Sequence, residues 1–199
     1  MIISRDPAFI FVAVPKTGST SIESALQRFC DRQLAAPFGK HALAIKLRDD
    51  LPEAVWNRSF RFAFVRNPYD WMYSWYRFRS RPALKAPSHP AHDRYTGDIS
   101  FDKFVHTFSD RELMLRQSDF LSDHGGWGEP LVDFVGRYEH LQRDYELVCT
   151  RLGLIAEPLP LTNESAGALP GELPMSSDSR RIINDYFRPD FELFGYPML

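Results

Sequence analysis

The stretch Phe9-Ile10-Phe11-Val12-Ala13-Val14-Pro15-Lys16-Thr17-Gly18-Ser19-Thr20-Ser21 constrains this chain most. Its opening run of β-branched and aromatic residues reads as a buried strand. Pro15 and Gly18 interrupt it, and Ser21 to Leu26 beyond reads as a helix. A strand, a tight turn carrying a lysine, a glycine and hydroxyls, and a helix N-terminus make an anion cradle. Backbone N–H groups and the positive end of the helix dipole converge there, and Lys16 adds a full charge. An ordinary strand–turn–helix junction with a surface lysine is the bland alternative.

The nucleoside-triphosphate loop, G-x-x-x-x-G-K-[ST], is a different pattern. Here Lys16 precedes the one glycine, and no glycine opens the turn. A second junction lies downstream. Phe60 to Val65 reads as a strand ended by Arg66-Asn67-Pro68, with Asn67 suited to an N-cap and Pro68 to the first helical turn. The helix runs Tyr69 to Phe78, and Ser74 falls on it. Arginine offers a planar two-toothed donor to phosphate, to which a helical serine adds a hydroxyl.

The order Pro15-Lys16-Thr17-Gly18-Ser19-Thr20-Ser21 resembles the 5′-phosphosulfate loop of sulfotransferases that use 3′-phosphoadenosine 5′-phosphosulfate (PAPS). Arg66 with Ser74 resembles the pair that holds the 3′-phosphate in that family. Ile182 to Tyr196 is similar to a sulfotransferase C-terminus, and reads independently as an amphipathic helix with an aromatic cap on the core. The resemblance implies an α/β, P-loop-like PAPS-binding fold with a central parallel sheet flanked by helices on both faces. It implies PAPS as donor and PAP as product, held by Lys16, Thr17, Gly18, Ser19, Thr20, Ser21, Arg66 and Ser74. Lys16 then also acts in catalysis on the bridging oxygen, and no metal is required because amides, lysine and arginine supply the positive field.

A general base must take the proton of the acceptor. His41 is the expected base: it lies between the first helix and the Arg66 strand, where related glycan sulfotransferases place a catalytic histidine, and imidazole titrates in the useful range. Glu23 is the second choice. His89 and His92 have a spacing compatible with a metal but no carboxylate or thiol nearby, and read as solvated loop residues within reach of an acceptor. His106, His124 and His140 read as structural.

The implied acceptor is a hydroxyl, or an amine, of a carbohydrate. Trp71, Trp75 and Phe78 share one helical face that reads as core rather than a sugar platform. Arg77, Arg79, Arg81 and Lys85 read as a solvated helix end, with an anionic acceptor as the sharper alternative. Two other functions stay open: a PAP- or PAPS-binding relative without catalysis, and a P-loop nucleotide kinase. The kinase needs a GK[ST] order and a strand ending in aspartate for magnesium, whereas this strand ends in Arg66.

At 199 residues, 44% hydrophobic and 25% charged, one globular domain spanning 1–199 is expected. The net charge of −2 argues against general nucleic-acid binding, so an anion site must be local. Cys30 and Cys149 form neither a disulfide framework nor a metal motif. No targeting signal or membrane-length apolar run stands out, and the resemblance is to a compact bacterial, cytoplasmic type rather than to membrane-anchored Golgi enzymes. Asn57-Arg58-Ser59 and Asn163-Glu164-Ser165 fit the glycosylation pattern but mean nothing without secretion.

Elsewhere, strand and helix signals alternate. The first helix is expected to reach about Gln33, and Asp49 to Trp56 forms a short helix. Arg81 to Gly97, with Pro82, Pro87 and Pro90, reads as a long mobile loop. Ser100 caps a helix through Phe108, and Ser109-Asp110-Arg111-Glu112 is a capping box for the next. Leu131 to Tyr138 reads as a third strand and Glu139 to Leu152 as a helix. A Pro-rich stretch from Pro158 to Pro174 precedes the last helix. Such alternation puts ligands beyond the carboxyl ends of parallel strands.

Overall fold

The computed structural model describes residues 1–109, 115–160, 173 and 175–199. Its strands are β1 (Ile2–Arg5), β2 (Ala8–Val12), β3 (Phe60–Val65) and β4 (Phe134–Arg137). Its α-helices are α1 (Ser19–Leu26), α2 (Arg32–Ala35), α3 (Ala44–Asp50), α4 (Glu53–Arg58), α5 (Pro68–Arg79), α6 (Phe101–Ser109), α7 (Gln117–Leu121), α8 (Leu141–Leu152), α9 (Ser177–Tyr186) and α10 (Arg188–Phe194). They divide into two compact units, Met1–Arg66 with Leu115–Glu164 and Asn67–Met114 with Ser165–Leu199.

The first unit holds a four-stranded sheet in the order β1-β2-β3-β4. β2, β3 and β4 are parallel as expected, but β1 runs antiparallel to β2, so the sheet is mixed rather than wholly parallel. Only Asp6 and Pro7 separate the two strands, and so short a link closes a hairpin, whereas a parallel pair needs a crossover of a dozen residues or more. β4 is shorter than the sequence suggests, beginning at Phe134.

Both faces of the sheet are covered, because consecutive residues Phe9 to Val12 and Phe62 to Val65 are all buried although they point to alternate sides. Register places Phe9 beside Phe60, Phe11 beside Phe62, and Phe62 beside Phe134 on one face. The rings form a ladder there, with Phe11 stacked on Phe62 at 5.2 Å and Phe29 meeting Phe9 edge-on at 6.2 Å. Gly136 faces the same side: a Cβ on it would stand 2.5 Å from Cε1 of Phe64 and 3.2 Å from Cβ of Asp144 in α8. Arg61, of opposite parity, lies over the Trp56 ring of α4 at 4.9 Å. Helices therefore flank both faces, as expected.

Helix boundaries depart from the sequence reading where proline acts. The helix expected over Asp49–Trp56 is instead two, α3 and α4. Leu51 adopts an extended conformation (φ −79°, ψ 150°) because the ring of Pro52 disfavours the helical region in the residue before it. The first helix stops at Leu26, and α2 starts anew at Arg32 with Asp31 as its N-cap.

The second unit is helical. Asn67 accepts a hydrogen bond from the Tyr69 N–H at 3.0 Å and Pro68 occupies the first turn, the N-terminus of α5 that the sequence proposes. Trp71 is fully buried against Phe187 at 5.7 Å, and Trp71, Trp75 and Phe78 contact one another in sequence, which makes that face core. Ser100 caps α6 through the Lys103 N–H at 3.2 Å. The loop from Arg81 to Gly97 is less featureless than its prolines imply: 3₁₀ turns span Pro82–Lys85 and His92–Arg94, and Leu84 is buried. Residues 110–112 of the capping box, the Asn163 acceptor pattern and most of the Pro-rich stretch lie outside the described residues.

Candidate functional site

Three strand ends converge on one edge of the sheet. β2 and β3 pair through Val12↔Ala63 and β3 and β4 through Val65↔Arg137, so the segments leaving β2, β3 and β4 emerge side by side. The first carries Pro15 to Gly18, the second Arg66, the third Tyr138.

In the first segment the backbone is unusual. Lys16 has φ +67° and Gly18 φ +77°, with Thr17 between them outside that region. A lysine there is strained, since a Cβ crowds the following carbonyl. Alternation of this kind turns successive N–H groups toward one point, which is how a backbone nest binds an anion. The Thr17 hydroxyl donates to the Val14 carbonyl at 2.9 Å and is fully buried, so it braces the turn. The Ser21 and Ile22 N–H groups donate to the Gly18 carbonyl at 3.0 and 3.3 Å, leaving the amides of Ser19 and Thr20 ahead of them at the open helix end. The Ser21 hydroxyl donates to the Pro160 carbonyl at 2.8 Å. Thr17 and Ser21 thus have their hydroxyls occupied within the protein, whereas Thr20 is exposed.

Arg66 is the second element. It is 3% exposed, and its guanidinium lies over the Tyr138 ring at 4.2 Å. Its Nε has no hydrogen-bond partner among the described residues, and no carboxylate there pairs with it. A buried guanidinium without a counter-charge is costly unless something completes it. The same Tyr138 ring faces the first turn: a Cβ on Gly18 would stand 3.4 Å from its Cδ2 and 2.6 Å from Cδ2 of Leu141. Tyr138 therefore joins the lysine turn to Arg66, with Gly18 allowing the close approach. Sequence reasoning missed it, because nothing local separates Tyr138 from any aromatic residue at a strand end. Gln117 was missed as well: its side chain accepts from the Arg66 N–H at 2.8 Å and donates to the Arg66 carbonyl at 2.7 Å.

His41 sits beside the end of β2. Its Nδ1 is 2.6 Å from the Ala13 carbonyl oxygen. A carbonyl only accepts, so Nδ1 carries the proton and Nε2 keeps its lone pair, the arrangement a base requires. The residue is open to solvent, yet its ring is partly desolvated against the strand end. That desolvation, and after it the positive charges of Lys40 and the N-terminal amine, pull its pKa below the ordinary value, against the opposing pull of the Ala13 bond and Glu23. Glu23 itself is engaged by the Met1 amino group and by Lys40 Nζ at 2.9 Å. Lys40 Nζ also donates to the Thr20 hydroxyl at 3.2 Å.

Lys16 to Ser21, His41 and Arg66 thus all belong to the first unit, around neighbouring strand ends. Ser74 is 3% exposed on α5 in the second unit. In that unit His89 Nδ1 accepts from the Ala91 N–H at 3.0 Å, and His92 Nδ1 is 3.1 Å from the Leu84 carbonyl, both local loop contacts. His106 and His124 pair with Asp178 and Asp123. Arg79 lies against Trp75, Phe104 and Phe108, and Arg81 against Phe78, so part of the basic run packs on aromatic rings. Among the described residues no group of three or more His, Cys, Asp or Glu is placed to hold a metal ion, and no helix is long and apolar enough to cross a membrane.

Comparison with known proteins bears on this geometry. The model of a family described as "Sulfotransferase family" matches residues 1–197. A crystal structure of a sulfotransferase from Alicyclobacillus acidocaldarius aligns over 95% of this chain and 94% of its own, at 15% identity and a TM-score of 0.46. No curated protein matches the chain.

Proposed function

The chain belongs to the sulfotransferase family, and we propose that it transfers the sulfuryl group of PAPS to a hydroxyl of a carbohydrate acceptor, releasing PAP. The observation that carries this reading is Arg66: a buried guanidinium with no carboxylate partner among the described residues, linked through Tyr138 to the Lys16 turn. A phosphate ester supplies the charge and the acceptor oxygens this guanidinium lacks. The donor's two phosphate-bearing ends need two anion sites, and the strained turn with its open amides suits the other end.

PAPS, when bound, supplies a sulfuryl group on a phosphate leaving group, so the sulfur–oxygen bond to that phosphate breaks as the bond from sulfur to the acceptor oxygen forms. Lys16 neutralises the charge that grows on the departing oxygen, an interaction that strengthens toward the transition state. The amides of Ser19 and Thr20 and the Thr20 hydroxyl hold the 5′ end, with Thr17 and Ser21 bracing the turn that aims them. Arg66 binds the 3′-phosphate. His41 accepts the acceptor proton at Nε2 while its Nδ1–H stays on the Ala13 carbonyl, which fixes the ring through the step.

Two experiments test this reading. Isothermal titration compares PAP with 5′-AMP, and the expected result is a marked preference for PAP; equal affinities mean that no 3′-phosphate site exists. Labelled PAPS offered with a panel of carbohydrate hydroxyls and amines, with and without magnesium, should give labelled product from at least one acceptor at a rate independent of the metal. Tight PAP binding with no transfer to any acceptor would instead favour a binding protein.

A further inference from the structure

We infer that Gln117 is a positioning residue for Arg66, holding the arginine in the conformation that meets the nucleotide's 3′-phosphate; the inference rests on the reading of Arg66 given above. Arg66 stands just beyond the last ladder residue of β3, where Val65 pairs with Arg137. Its own N–H and C=O are both taken by one side chain, Gln117, through bonds of 2.8 and 2.7 Å. A primary amide bonded in this way imitates the edge of another peptide, so it continues the strand pairing by one residue and fixes the Arg66 backbone. Gln117 is fully buried. Bulk solvent therefore does not compete for either bond.

Gln117 is itself held from both sides. It is the first residue of α7, directly after Arg116, whose N–H donates to the Asp119 carboxylate at 2.7 Å. The Arg116 guanidinium grips the same carboxylate at 3.1 and 2.9 Å and reaches the Gly125 carbonyl at 2.6 Å. At the other end of α7 the Leu121 carbonyl accepts from the Leu131 N–H at 2.7 Å. The short helix is thus a fixed post.

This anchoring bears on recognition because the guanidinium has so little else to orient it. Among the described residues its Nε has no hydrogen-bond partner and its ring contact is with Tyr138. Stacking permits sliding in the plane of the ring, whereas a two-bond contact to phosphate tolerates only small displacements. The rigidity has to come from the backbone, and Gln117 supplies it. A glutamate at 117 would keep the acceptor for the N–H and lose the donor to the carbonyl; a methionine would keep the volume and lose both.

The test is a binding cycle on the full chain, with PAP and 5′-AMP as probes and Gln117→Met, Gln117→Glu, Arg66→Ala and the double variants as proteins. Each single Gln117 variant should bind PAP about tenfold more weakly and 5′-AMP within about twofold of the parent, since residues in one hydrogen-bonded network couple. In the Arg66→Ala background the same substitutions should change PAP affinity less than about twofold. Equal losses for PAP and 5′-AMP, or a full further loss in the Arg66→Ala background, would overturn the inference and leave Gln117 a general structural residue. So would an undiminished PAP preference in a Gln117 variant when Arg66→Ala abolishes it. If the unsubstituted protein binds both nucleotides equally, the fault lies in the 3′-phosphate reading. The unsubstituted protein gives a readout independent of any variant's folding: exchange of the Gln117 side-chain amide protons should slow on adding PAP more than on adding 5′-AMP, and identical slowing would count against the proposal.

Discussion

Nδ1 of His41 lies 2.6 Å from the carbonyl oxygen of Ala13, at the end of the strand that leads into the Lys16 turn. One backbone oxygen thereby sets both the tautomer of the imidazole and its place relative to the anion cradle. The side-chain carboxylate that orients histidine in catalytic triads has no counterpart in this contact.

His41→Ala should preserve PAP affinity while lowering turnover by about 10²–10⁴. The pH profile of kcat/KM should fall on the acid side with a midpoint below 6.5, because partial burial lowers the pKa and keeps the ring neutral to more acidic pH. The same shift acts on stability. The unfolded chain takes up this proton first, so the stabilisation is present above the ordinary value of 6.5 and is lost as pH falls through the depressed one. A single-turnover assay across pH checks the first statement, and an acid limb unchanged in a residually active His41→Gln variant would remove His41 from the base role.

Lys16→Ala should reduce turnover by about 10²–10³, with a smaller effect on PAP binding, because in the proposed reaction its charge acts on the bond that breaks. Backbone strain makes a second comparison informative. Lys16 is held at φ +67°, so Lys16→Gly should be more stable than Lys16→Ala by about 1 kcal/mol while equally impaired in transfer. Chemical denaturation of both variants measures this, and equal stabilities would mean the turn relaxes once lysine is gone.

Arg66→Met should raise the melting temperature of the ligand-free protein while erasing its preference for PAP over 5′-AMP. The arginine is buried with an unsatisfied Nε, and a shorter unbranched apolar side chain against Tyr138 removes that penalty, on the order of 1–3 kcal/mol. Scanning calorimetry with and without PAP reports both effects, and a lowered melting temperature without ligand would show that the stacked guanidinium stabilises the fold by itself.

Gly18→Ala should destabilise the protein by about 1–2 kcal/mol through the positive φ alone. The added methyl meets the Leu141 side chain at 2.6 Å, and Leu141→Ala in the same chain should recover only the part due to contact. Complete recovery in a denaturation series would assign the whole cost to packing.

Much of this was legible locally. The buried run Phe9 to Val14 ended by Pro15, and the matching run before Arg66-Asn67-Pro68, specify strand–turn–helix junctions through side-chain shape and proline geometry, and both junctions form. Amino-acid pattern also singled out Lys16 to Ser21 and Arg66 as candidates, since an anion site needs amides, a cation and small residues close together in the chain. Ser74 on α5 and the core face of Trp71 follow from helical spacing. By contrast, the antiparallel β1 was hidden because four residues carry too little periodicity to announce a strand without a partner.

Tertiary structure decided what sequence spacing does not encode. The hydroxyls of Thr17 and Ser21 look alike in sequence to that of Thr20, and only the carbonyls of Val14 and Pro160 draw the first two inward. Glu23 reads as a lone carboxylate in the sequence, and only the fold pairs it with Lys40 and the Met1 amine. Tyr138 and Gln117 reach Arg66 from segments 72 and 51 residues away in the chain, as the residue numbers show. Local propensity is set within a few residues, so the sequence by itself determined strands β2 and β3, the turn and the chemical groups offered; which of those groups remain open to a ligand depends on long-range partners that satisfy the others, and only the folded chain brings those partners together.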